Sequence, residues 1–174
     1  MPNPGIREEA LETCDSVTGW TVLGDDTDNL AVTNRRVHGA YALEFDKIDG
    51  QGGTVFAGAY KTVALKIDQY SVQDQINWYV YVSTVADVVR AILRIGSSAV
   101  NNVEYYYPDT SLAAGLFAHC HKPIYSFDVK NGTGCDFSNI TYIAVAIEFD
   151  AQDDTLADIA VDNISIMPSG LTHT

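Results

Sequence analysis

The chain has 174 residues, with 23 acidic against 10 basic side chains and a formal net charge of −13. That length fits one domain able to bury about 70% of its unfolded surface, and a 47% hydrophobic share is a globular composition, not a disordered one. The acid excess repels phosphate backbones and anionic lipid, and no basic stripe is present to release counterions, so nucleic acid and membrane are excluded as partners.

Period-two alternation recurs along the chain and helical periodicity is scarce. Early strands are predicted at 19–23, 30–33, 41–46 and 54–64. The clearest strand is 75–83, with Ile76, Trp78, Val80 and Val82 on one face and Asn77, Tyr79, Tyr81 and Ser83 on the other. A hairpin turn at 84–87 leads to a strand at 88–95, where Val89, Ala91, Leu93 and Ile95 oppose Arg90 and Arg94. Gly96, Ser97, Ser98, Asn101 and Asn102 punctuate the next connection, before a strand at 103–107. Residues 112–117 read as one helical turn and 124–129 as a strand, followed by a turn at 130–134. In the strand at 140–149, Thr141, Ile143, Val145, Ile147 and Phe149 share one face; Tyr142, Ala144 and Ala146 share the other, so both faces are covered. An acidic turn at 150–154 precedes the closing strand, 159–167.

About ten short strands with turns at this spacing give an all-β fold, a two-sheet antiparallel β-sandwich in one domain. Its expected bounds are 11–167, between an N-terminal arm at 1–10 and a C-terminal tail at 168–174, which either fray or dock on a neighbour. Three cysteines, Cys14, Cys120 and Cys135, form no regular framework. They read as reduced thiols suited to a reducing cytoplasm, with one bridge between two of them left open. The first ten residues lack the apolar core of an export signal, and no stretch reaches transmembrane length.

Four segments carry a resemblance. They are 14–20, from Cys14 to Trp20; 37–45, where Gly39 leads into a strand holding Leu43; the Trp78 strand, 75–82; and the closing strand, 159–166. Together they resemble the jelly roll of the carbohydrate-binding-module and galactose-binding-like superfamily, a fold also found in phage virion accessory and tail proteins. The resemblance implies a structural calcium near the chain ends, with ligands around Asp15, Glu44 and Asp162. The alternative is that Asp15 starts a turn and Asp162 caps a bulge. Tyrosines concentrate at Tyr79, Tyr81, Tyr105, Tyr106 and Tyr107. Of these, Tyr79, Tyr81 and Tyr105 are the candidate face for stacking on sugar rings or for packing on a partner. His119 and His121 share a strand face and offer two ligands for zinc or nickel, with no motif to complete the set. Trp78 reads as core, and Trp20 as core or an edge cover.

No nucleophile elbow, phosphate loop, dinucleotide fingerprint or zinc-protease helix occurs, and the acid pairs Asp25–Asp26 and Asp153–Asp154 read as solvated turns, so no enzyme is expected. Two functions follow. The first is a virion accessory protein, a capsid decoration or tail component. It would attach to capsid or tail proteins and to copies of itself as a trimer, be made in the host cytoplasm, and reside in the virion. The alternative is an extracellular carbohydrate-binding module that recognises glycans through surface tyrosines.

Overall fold

The computed structural model describes residues 8–49 and 54–169. The chain runs β1 (Glu9–Glu12), β2 (Trp20–Val22), β3 (Thr27–Thr33), β4 (Ala42–Lys47), β5 (Phe56–Leu65) and β6 (Gln75–Tyr81). It continues through β7 (Val88–Gly96), β8 (Asn102–Pro108), a 3-10 turn (Asp109–Ser111), β9 (Phe117–Pro123), β10 (Val129–Asn131), β11 (Ile140–Phe149) and β12 (Leu156–Met167). Sheet I has the order β3-β4-β12-β6-β9, with β1 also paired to β12; sheet II has the order β10-β8-β7-β11-β5-β2. Every strand pair is antiparallel, as the predicted jelly-roll sandwich requires.

Alternation explains how the two layers meet. Ile76, Trp78 and Val80 of β6 face Ala91, Leu93 and Ile95 of β7 and Ile143, Val145 and Ile147 of β11 in one continuous core. Each such Val, Leu or Ile side chain contributes on the order of 1.5–3 kcal/mol when fully buried. Lys47, at the end of β4, is the one buried cation among the described residues. Its ammonium donates to the carbonyls of Ile48 (2.8 Å) and Gln152 (2.7 Å) and pairs with Asp26 at 3.5 Å.

Several expectations are corrected. Segment 84–87 is not a hairpin: β6 belongs to sheet I and β7 to sheet II, so the turn carries the chain from one layer to the other. Residues 124–128 form no strand, because Ile124 drops into the core and Ser126 closes a turn on Pro123. The strand there is β9, which begins where a helical turn was expected and gains its register from β6. Within the predicted N-terminal arm, residues 9 and 10 belong to β1; residues 1–7 and 170–174 lie outside the described part. All three cysteines are free thiols, which agrees with the reduced reading and removes the bridge left open beside it.

Candidate functional site

The outer face of sheet I holds most residues singled out from the sequence. Tyr79 of β6 pairs in register with His119 of β9, and Tyr81 with Phe117. The Tyr79 ring stacks on His119 at 4.8 Å and has the tilted His38 ring 5.1 Å away. It is only 8% exposed, which leaves little ring face for a sugar. Tyr81 is half-buried with the Arg35 guanidinium 4.1 Å from its ring centre. Tyr105 is not on a surface at all. It is fully buried in the core, where its hydroxyl donates to the Ile124 carbonyl and burial pushes its ionisation far up. Alternation places it there, since Glu104 and Tyr106 take the outer face of β8.

The expected calcium ligands do not converge. Asp162 accepts the Val37 and His38 N–H groups at 2.6 and 2.8 Å. Asp15 accepts those of Ala40 and Tyr41 at 2.6 and 2.7 Å. Glu44 pairs with Arg35 at 3.6 Å. Two carboxylates thus strap segment 37–41 onto sheet I by its backbone. Gly39 fits at φ +62°, where a β-carbon would sit 2.5 Å from the Asp15 carboxylate. Burial raises the Asp162 pKa, with the His38 and Val37 N–H groups offsetting only part; the Tyr41 and Ala40 N–H groups hold Asp15 low against a smaller burial effect. As the alternative reading has it, Asp162 begins a bulge, and the next residue, Asn163, has φ +42°. Among the described residues the one group of three acids, histidines or cysteines close enough to share a cation is Asp87, Asp150 and Asp154. His119 and His121 are neighbours, with ring centres 5.2 Å apart, and His119 Nε2 lies 2.9 Å from Asn77 Oδ1.

The outer face of sheet II has a different character. Register aligns three rows across β5, β11, β7 and β8: Phe56-Glu148-Arg90-Pro108, then Gly58-Ala146-Ile92-Tyr106, then Tyr60-Ala144-Arg94-Glu104. The middle row is small on two strands. A β-carbon at Gly58 would fall 2.1 Å from the Val145 carbonyl, so this floor must stay low. Above it lie two arginines. Arg94 Nε donates to Glu104 at 2.7 Å, its guanidinium 5.4 Å from the Phe56 ring centre. Arg90 Nε forms an ion pair with Glu148 at 2.8 Å without hydrogen-bond alignment, its guanidinium 4.4 Å from the Tyr106 ring centre. The Tyr106 hydroxyl donates to Glu104 at 2.7 Å; burial first, then that bond and the Glu104 charge, push it up to about 12.

Three clefts border this face. One, of about 410 Å³, lies at its β8 edge and is lined by Arg90, Tyr106 and Pro108 together with Asp128 and with Lys122 from β9 of sheet I. A second, of about 150 Å³, is lined by Leu23, Gly24, Thr54, Phe56 and Arg94. The Phe56-Glu148-Arg90-Pro108 row joins them across roughly 14 Å, three strand spacings. The third cleft, of about 440 Å³, adjoins Tyr60 and Tyr142. The sequence had shown Arg90 and Arg94 to be opposite the apolar face of their strand. The register that brings Glu104, Glu148 and Phe56 to them is a property of the folded sheet.

No protein-family model and no curated protein sequence matches the chain. Solved structures do. A family 11 carbohydrate-binding module of Clostridium thermocellum, solved with a β-1,3-1,4-mixed-linked tetrasaccharide, is similar at TM-score 0.61 and 18% identity over 97% of this chain and 99% of that one. A family 30 module of a cellulosomal cellulase of the same organism is similar at TM-score 0.60 and 13% identity over 95% and 99%. An exo-β-agarase is similar at TM-score 0.62 and 11% identity over 94% of this chain but 25% of the enzyme. At these identities the likeness establishes the fold alone: a two-sheet antiparallel jelly-roll β-sandwich.

Proposed function

We propose that the chain binds a glycan across the outer face of sheet II, without turning it over. The observation that carries this reading is the pair of arginine–glutamate bridges, each set beside an aromatic ring above a floor of small residues. A sugar presents hydroxyl groups at its edge and C–H groups on its faces. Guanidinium N–H groups and carboxylate oxygens held in fixed geometry match the hydroxyls, and Tyr106 and Phe56 offer rings to the C–H faces. A concave, largely preformed site with a few placed polar groups is the usual form of a small-molecule site. The fold shared with two binding modules that span the full chain supports binding as the activity.

The expected virion role and its capsid or tail partners gain no support from the structures reported above, and the glycan alternative is preferred. The site differs from the one expected: arginines and Tyr106 on sheet II replace Tyr79, Tyr81 and Tyr105. Isothermal titration against soluble β-glucan, xylan, mannan and agar oligosaccharides tests the reading. Binding to at least one series is expected, with no reducing ends released, and Arg90→Ala with Arg94→Ala should abolish it. A complete absence of binding, or binding that survives the double substitution, refutes it.

A further inference from the structure

The cleft at Tyr60 and Tyr142 lies on the same face as the proposed glycan path but beyond the row Tyr60-Ala144-Arg94-Glu104. Its walls come from Leu23, Tyr60, Thr62, Ser98, Thr141 and Tyr142. Leu23 also lines the cleft at Phe56 and Arg94, so the two spaces share a wall. Tyr60 and Tyr142 are stacked at 5.8 Å with an interplanar angle of 27° and form one aromatic side.

The chemistry of this cleft contrasts with that of the path beside it. The path is built from arginines and glutamates, whereas among the described residues no Lys, Arg, His, Asp or Glu side chain lines the cleft. Its polar groups are hydroxyls. An anionic substituent would exchange its water there for hydroxyls alone, since Arg94, which reaches Tyr142 from the path side, is already paired with Glu104. An uncharged polyol would find hydroxyls that both donate and accept, and rings for its C–H faces. The rim is fixed in advance. Ser98 Oγ accepts the N–H groups of Val100 and Asn101 at 3.3 and 3.1 Å, and Asn102 Nδ2 donates to the carbonyls of Ser98 and Ala99 at 3.1 and 3.0 Å.

We propose that this cleft receives an uncharged side branch of the glycan whose backbone lies across sheet II, so that the protein distinguishes branched from linear polysaccharides. The proposal rests on the glycan reading above and adds a substrate class to it. The test uses backbone-matched pairs: linear β-1,4-glucan oligosaccharides against xyloglucan, linear xylan against arabinoxylan, and mannan against galactomannan. In at least one pair the branched member should bind about tenfold tighter, a difference of one side-branch contact set. Thr62→Trp and Ala99→Trp, both at exposed positions on the rim, should each fill the cleft. Either should reduce the branched ligand to the affinity of the linear one while leaving linear binding unchanged. Equal affinity within every pair, or a branched preference that survives both substitutions, overturns the side-branch site and leaves the glycan path standing. No binding to any of the polysaccharides overturns both.

Discussion

Arg94 holds Glu104 at 2.7 Å across the β7–β8 ladder, and both side chains are largely buried. The pair is thus a structural element as well as a candidate ligand contact. In Arg94→Ala, Glu104 would keep its bonds from Tyr106 and Asn131 but lose its cation. A loss of about 1–3 kcal/mol in stability is expected, read by chemical denaturation. Arg94→Lys should recover most of that stability yet not the glycan affinity, because an ammonium lacks the planar fork. Full affinity in the lysine variant would contradict the role given to the guanidinium.

Lys47 and Asp26 are both fully buried and 3.5 Å apart. Asp26→Ala strands the ammonium and should cost about 3–5 kcal/mol. The double substitution Asp26→Leu with Lys47→Met removes both charges and should be markedly less damaging than the single one. Denaturant midpoints of the two variants decide this, and a double variant worse than Asp26→Ala would show that the pair is net stabilising.

Asp15 and Asp162 strap the same segment and should respond to pH in opposite senses. Asp15 is held below its ordinary pKa, so its contribution is present above the unfolded value and is lost as pH falls through the folded one. Asp162 is raised by burial, so its ionisation erodes stability as pH rises from the unfolded value through the folded one. Asp15→Asn should therefore be less stable than the parent at neutral pH, and Asp162→Asn more stable, with both differences shrinking toward low pH. Melting temperatures across an acid-to-neutral series check the two signs.

Burial pushes all three thiols up, and Cys135 reaches about 12. Cys14 and Cys120 are inaccessible and Cys135 is half-buried. A thiol reagent near neutral pH should label the native protein slowly and at Cys135 first, and should label all three sites once the chain is unfolded. Rapid labelling of Cys14 or Cys120 in the native state would mean that the core opens more readily than its packing implies.

Much of the fold was written in alternation. Both faces of β6 and the double covering of β11 follow from residue types alone, because a half-buried strand must change polarity every second residue. β9 was half legible: His119 and His121 share a strand face, but apolar Phe117 stands with them and only the small Ala118 and Cys120 mark the inner face, too short a signal to set the strand's bounds. The layer change at 84–87 was hidden, since the same short polar turn serves a hairpin or a crossing between sheets. The candidate site was the least legible part. Arg90, Glu104 and Glu148 lie on three strands separated by up to 58 positions, and only pairing brings them into one row system. Tyr105 misled because a run of three tyrosines does not announce which of them points inward.

Glu9 of β1 lies opposite Ile166 of β12, so the described chain enters and leaves through the same end of sheet I. Both exits are on sheet I, the layer opposite the arginine rows. A surface anchor coupled at position 8 or position 168 would therefore hang from the back of the sandwich, and an immobilised sample would present those rows to solution whichever position was tethered.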